Sequence, residues 1–309
     1  MGSLKTFALA GAVMIGATGV ALAADLGPPP IGLPPAPYAA PIAEASGWYL
    51  RGDVGVGILN GTPEVVDTTG FVQPTVVKGH SPNFGNPGLI GLGAGYQYNS
   101  WLRGDLTVDY RAKADVKFGD KGCSGPGGNI AGTTCAVPTA GATNFYNAFN
   151  GRVSSIAVLA NGYVDLGTWS GLTPYLGAGV GFANIKASGF TDTGWNQSAA
   201  VANAAVFSSY PVYFGDKTKT NFAWALMAGV GYDVSSNLKL ELGYRYLNMG
   251  SINGVSPVCP NTSCGNVNLA KLDSHEFKLG MRWMLGGPSY AAAPAPMAYP
   301  VEPRMIKKF

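Results

Sequence analysis

Asp105 and Asp109 are the residues in this sequence whose type and spacing first suggest chemistry. In a strand, positions two and four apart share one face, so the two carboxylates project together and could divide acid and base work between them. Arg103 and Arg111 stand on the same face at the same spacing. Each acid therefore has a guanidinium beside it, and the arrangement is a ladder of ion pairs. The two histidines, His80 and His275, add little. His275 falls on the apolar side of its segment, where a lipid hydrolase would place a base. Its neighbours Ser274 and Glu276 point to the opposite face, so neither can orient it or be activated by it. His80 with loop tyrosines such as Tyr210 and Tyr213 is a set that could capture haem iron. The four cysteines, Cys123, Cys135, Cys259 and Cys264, are spaced twelve and five apart within their pairs, which does not fit zinc. The sequence thus names no catalytic residue, no cofactor and no metal set.

The ladder belongs to Leu89–Arg111. Ile90, Leu92, Ala94, Tyr96 and Tyr98 alternate with glycine and glutamine, and Asn99-Ser100 interrupts. Leu102, Leu106, Val108 and Tyr110 then alternate with Arg103, Asp105, Thr107 and Asp109. Period two on both sides of a short polar break predicts a β-hairpin. Six further segments alternate in the same way: Trp48–Leu59, Val153–Leu166, Leu172–Lys186, Asn221–Asp233, Leu238–Asn248 and Ser274–Leu285. Their polar faces carry the charges and their apolar faces carry the aromatics. That is the sense of a strand with lipid outside and a barrel interior within. The interior bases are Arg51, Arg103, Arg111, Lys239, Arg245, Lys278 and Arg282. The interior acids, equal in number, are Asp53, Asp105, Asp109, Asp165, Asp233, Glu241 and Glu276. An eight-stranded barrel is just wide enough for side chains to fill it, so these residues predict an ion-pair network that closes the lumen. An ion-selective pore would carry an excess of one sign.

Composition agrees with a membrane barrel. Only 12% of the 309 residues are charged and 45 are glycine, about half and about twice the usual shares, while mean hydropathy is positive. The net charge of +3 is too small to point to a nucleic-acid partner. After the N-terminal segment no apolar run reaches the ~18 residues of a spanning helix. A chain this hydrophobic without such helices crosses a membrane only as a closed barrel. Residues 1–23 have the form of an export signal, with Lys5, an apolar stretch from Phe7 to Val20, and Ala21-Leu22-Ala23 as the cleavage site. An exported chain with an even cysteine count is expected to form disulfides. Of the three pairings, Cys123–Cys135 with Cys259–Cys264 needs no contact between loops. Residues 24–46 are a Pro-rich periplasmic linker, 47–285 the barrel, and 286–309 a Pro/Ala-rich periplasmic tail.

Short connections (99–100, 167–171, 234–237) alternate with long ones (roughly 60–88, 112–152, 187–220 and 249–273). This is the sidedness of an outer-membrane barrel, with brief periplasmic turns and long outer loops. The outward aromatics sort by height accordingly. Trp48, Tyr96, Tyr98, Tyr232 and Trp283 fall at the periplasmic end. Tyr110, Phe182, Phe222, Trp224, Tyr244, Tyr246 and Phe277 fall at the outer end, and two such girdles match two membrane interfaces. Lys113, Lys117, Lys121, Lys186, Lys217 and Lys219 lie in the outer connections, where lipopolysaccharide phosphates would sit. Arg304, Lys307 and Lys308 of the tail are placed to touch peptidoglycan or the anionic inner surface.

Four stretches carry a family resemblance: Ala23-Ala24-Asp25-Leu26 followed by prolines, Gly47-Trp48-Tyr49-Leu50-Arg51-Gly52, Pro174-Tyr175-Leu176-Gly177-Ala178-Gly179-Val180-Gly181, and Leu240-Glu241-Leu242-Gly243-Tyr244-Arg245-Tyr246. Over residues 1 to about 285 the chain resembles the outer-membrane immunogenic or porin-family small barrels of alphaproteobacteria, which share the architecture of the OmpA membrane domain. Such barrels commonly end on an aromatic of the last strand, whereas here about two dozen residues follow Leu285 and the chain finishes on Phe309. The resemblance implies an architecture and no activity. The expectation is an all-β, transmembrane, eight-stranded antiparallel up-and-down β-barrel, monomeric and non-enzymatic, in the outer membrane among lipids and lipopolysaccharide. Its expected role is structural and surface-exposed. Porin-like passage of small solutes is the alternative, and haem or ligand capture by the outer loops a third.

Overall fold

The computed structural model describes residues 46–67, 75–125, 128–131, 140–198, 205–208, 211–258 and 265–285. The export signal, linker and tail lie outside these residues, as do Cys135, Cys259, Cys264 and Tyr210. Cys123 is disulfide-bonded, so its partner lies outside the described residues.

Alternation organises eight long strands: β1 (Gly47–Asp67), β2 (Gly88–Gln97), β3 (Leu102–Gly125), β4 (Thr143–Asp165), β5 (Leu172–Ser198), β6 (Lys217–Asp233), β7 (Leu238–Val255) and β8 (Asn266–Met284). Each pairs antiparallel with its chain neighbour. β8 closes the ring on β1 in a register that runs from Tyr49↔Met284 to Val66↔Asn266. The three short turns lie at the end where the ring begins and finishes. Asn99 tightens the first, its side-chain oxygen accepting the N–H groups of Trp101 (3.0 Å) and Leu102 (2.7 Å). Ser235 plays the same part before Leu238 in the third (3.2 Å).

The outward face below the far end is apolar and open, with Leu92, Leu226, Leu242 and Leu279 among its exposed side chains. Trp48, Tyr98, Tyr232 and Trp283 are exposed at the short-turn end, and Trp101 and Trp169 join them from the turns. Tyr110, Phe182, Phe222, Trp224, Tyr244 and Phe277 are exposed toward the other end.

The outer connections are long, but much of their length is strand. β3 runs on to Gly125, β4 starts at Thr143 and β5 reaches Ser198. Short strands at Thr75–Lys78, His80–Phe84, Gly128–Ala131, Val206–Ser208 and Val212–Tyr213 pair onto their ends. Bulges are the reason a simple alternation ends too early, because one extra residue swaps the two faces of a strand. In β3 the register slips between Arg111 and Ala114. Below the slip Asp109 and Arg111 point in; above it Val116 and Phe118 point in, and Lys113, Asp115 and Lys117 point out. β8 makes the same change around Lys271, whose φ of +51° places it in the left-handed region, so that inward Leu272 is followed by inward Leu269 and Val267. β5 changes around Gly189 (φ +60°).

Beyond the bulges the chain therefore has the ordinary sense of a water-facing sheet, polar outside and apolar inside. The apolar cluster fills this outer cap with Phe118, Phe149, Phe190, Phe214, Ile252 and Leu269 and reaches down the β4–β6 wall through Ala157, Leu159 and Ala225. Phe149 stacks on Phe118 with ring centroids 4.7 Å apart.

The cap also holds Asp192, opposite Phe149 on β4. Burial, helped by the charge of Asp120, pushes its carboxyl up to about 7. A carboxyl raised in the fold contributes stability that is fully present below its unfolded value near 3.9 and lost as pH rises through about 7. Thermal or protease-resistance profiles of the cap should therefore decline more steeply between about pH 4 and 7 in the wild type than in Asp192→Asn. Parallel profiles for the two proteins would contradict this.

Candidate functional site: the barrel lumen

Within the belt, the inward positions of β1, β3, β4, β7 and β8 bring the predicted charges together. Near the short-turn end Arg103 reaches Asp165 (3.1 Å) and Glu241 (3.4 Å). Its guanidinium lies over the rings of Tyr163 (4.1 Å) and Tyr175 (4.8 Å), an attraction of charge to the aromatic face. Arg282 approaches Glu241 (3.0 Å), donates to Gln97 (2.9 Å) and covers Tyr49 (5.3 Å). One level up, Arg51 binds Asp53 and Asp105 (both 2.9 Å) and donates to Tyr163 Oη (2.9 Å). Asp105 also accepts from Tyr49 Oη (3.1 Å) and Asn161 Nδ2 (2.7 Å). Lys278 bridges Asp53 (3.2 Å) and Asp109 (3.1 Å). Arg245 then forks between Asp109 (2.7 Å) and Glu276 (2.6 Å), and Arg111 closes on Glu276.

The network is thus continuous from Arg103 to Arg111. All its members are buried, with Asp109 and Glu276 at 0% exposure. Charges this far from water interact strongly, and each carboxylate lone pair taken by a guanidinium offsets the cost of removing it from solvent.

Lys239 and Asp233 are the exceptions among the predicted interior charges. They pair with each other (2.6 Å) where both side chains are partly exposed. The two form the last β6–β7 pair before the turn, so they sit at the mouth and not in the network.

Three tyrosines went unassigned from sequence: Tyr49, Tyr163 and Tyr175. Their signal was present, because each shares the phase of a neighbouring charge or glycine run. Glycines make their space. A Cβ at Gly229 or at Gly243 would lie 2.6 Å from Tyr175 Oη, so one phenol occupies the room left by both.

The histidines are placed elsewhere. His275 Nδ1 is 2.6 Å from Tyr244 Oη and its Nε2 is 3.7 Å from Asp273. It therefore does have partners, which its sequence neighbours hide: one comes from the strand across, the other from two residues along. The residues directly opposite it are Ile58 and Tyr246, neither a serine-type nucleophile. His80 pairs with Gly119 on β3, whereas Tyr213 pairs with Thr191 on β5. With β3, β4 and β5 between them, the structure does not bring His80 and Tyr213 together, and Tyr210 lies outside the described residues.

A chain with this closed ring and belt has relatives. It is 35% identical over 217 residues to an uncharacterised protein of Brucella abortus (strain 2308), covering 67% of this chain and 70% of that one. It is 25% identical over 264 residues to the outer membrane protein PagN of Salmonella typhimurium, covering 80% and 93%. Among solved structures it is similar to the outer membrane protein OprG of Pseudomonas aeruginosa, with 12% identity, a TM-score of 0.40, and coverage of 78% and 98%. The model of the outer membrane protein β-barrel domain matches residues 31–284. The protein is an outer-membrane β-barrel, and it belongs to that family.

Proposed function

We propose that this protein is a non-enzymatic, monomeric structural component of the outer membrane that displays its cap at the cell surface and keeps its lumen closed to solutes. The observation that carries this reading is the mutual pairing of the lumen charges. Among the described residues, six buried bases (Arg51, Arg103, Arg111, Arg245, Lys278, Arg282) meet six buried acids (Asp53, Asp105, Asp109, Asp165, Glu241, Glu276). The cavity left among Arg51, Glu241, Arg245 and Lys278 is ≈ 20 Å³, room for about one water. The apolar cap core above it adds a second barrier. Lys113 and Lys186 face outward beyond the upper aromatics, which favours lipopolysaccharide phosphates as neighbours.

Reconstitution of the refolded protein into planar bilayers tests the reading. Little or no stable conductance is expected. Large, long-lived channels would overturn it in favour of porin-like passage.

A further inference from the structure

On the cap, β3 and β4 turn a face to water, and a trough of ≈ 390 Å³ lies over it. Gly119 and Ala148 stand directly opposite each other and form its floor, since neither carries bulk above the backbone. His80 pairs with Gly119 on the other side and closes one end. Lys117 with Asn150 makes one wall, and Lys121 with Tyr146 makes the other. Trp195 stands opposite Tyr146 on β5 and continues the second wall.

The trough lining carries more base than acid, Lys117 and Lys121 against Asp120. Among the described residues the ion pairs outside the lumen are Lys186–Asp216 and Lys239–Asp233, and neither trough lysine belongs to one. Of the acids close by in sequence, Asp120 is among the residues that line the trough, its side chain largely buried, and Asp192 stands opposite inward-facing Phe149. The nearest outward acid, Asp115, stands opposite Arg152. Lys117 lies seven residues past Tyr110, so the trough sits roughly 15–20 Å beyond the upper aromatics at ~3.3 Å per residue along a tilted strand. That is outside the hydrocarbon and in the aqueous layer.

We propose that this trough binds an acidic saccharide, a sugar chain bearing phosphate, sulfate or carboxylate groups. Two strand positions four apart are about 13 Å from each other along the backbone, and the flexible lysines they carry suit two anionic substituents on one chain. The depression between them admits a ring over Gly119 and Ala148. Tyr146 and Trp195 offer flat apolar faces with polar tips, the kind of surface on which an amphipathic ring rests. The lysines supply charge without a fixed fork, so they accept any of the three anionic groups. Such sugars come from two sources, the phosphorylated core of the surrounding lipopolysaccharide and sulfated glycans outside the cell.

The test uses the full chain refolded in detergent micelles, with calorimetric titration of three probes. These are a delipidated lipopolysaccharide core oligosaccharide, a heparin octasaccharide and a neutral maltooligosaccharide. At least one acidic probe should bind, at least ten-fold more tightly than the neutral one, and weaken in 0.5 M salt as screening requires. Lys117→Gln/Lys121→Gln should weaken that binding ten-fold or more, and Tyr146→Ala should weaken it while leaving salt dependence intact. Asp115→Asn, outside the trough, should leave it unchanged or tighter. Heat-modified gel mobility of each variant checks that the barrel is folded, and the lysine pair is exposed enough for glutamine to preserve it. Binding of the core alone assigns the cell's own surface as the source, and binding of heparin alone assigns an external glycan; either supports the site. No binding of either acidic probe, equal binding of the neutral one, or full binding by the folded lysine variant would overturn it.

Discussion

Arg245→Ala lowers the unfolding free energy of the refolded barrel by about 3–5 kcal/mol, the usual cost of deleting one partner of a buried ion pair. The size of the effect follows from what the deletion leaves behind. Arg245 binds Asp109 and Glu276, both at 0% exposure, so two carboxylates lose a charge-assisted partner in a space that water cannot easily reach. Lys278 still holds Asp109 (3.1 Å) and Arg111 still holds Glu276. These keep the loss within that range and let the chain fold for measurement. Arg245→Lys should fall between the two, since a point charge cannot serve both acids as a planar fork does. Urea titration followed by tryptophan fluorescence in micelles reads the change. A midpoint for Arg245→Ala equal to wild type would mean that the lumen acids are solvated and the network is not closed.

Phe149→Ala has a comparable effect with a different address. The ring is 3% exposed, stacked on Phe118 and edge-on to Phe214 at 6.2 Å. Removing it leaves a cavity in the middle of the cap, at a cost of about 3–5 kcal/mol for a buried phenylalanine. The damage should be local, because the belt below is held by lipid contact and by the ion pairs. Trypsin should cut the cap of Phe149→Ala at Lys117 or Lys121 much faster than in wild type, while the membrane belt remains protected. Phe149→Leu should recover most of the resistance. Unchanged cleavage in Phe149→Ala would show that the cap does not depend on this core.

The belt was legible in the sequence because lipid and lumen impose a strict two-residue period. Arg103, Asp105, Asp109 and Arg111 could be assigned to the interior from that period alone. Partner choice was not legible. Arg111 meets Glu276 across 165 positions, and only ring closure brings β3 and β8 to one height. The cap was hidden for a local reason: the slip after Arg111 and the left-handed Lys271 reverse the faces, so a reading that holds one phase sees loops where strands continue. Tyr163 and Tyr175 were readable by phase but look like girdle aromatics by type, and the space that admits them comes from glycines on other strands.

The apolar core of the cap has a consequence for how the chain folds. Leu59 and Val65 come from β1, while Val267, Leu269 and Leu272 come from β8; the other strands, apart from β2, supply the rest except Phe214, which lies in the connection between β5 and β6. No contiguous piece of the chain can assemble this core early, because its first and last contributors are about two hundred residues apart in a fold dominated by non-local contacts. Completing the cap and sealing the first strand against the last are then one cooperative step. A nascent or truncated chain lacking β8 would carry its phenylalanines without a place to bury them, and the surface part of this protein exists only once the ring is whole.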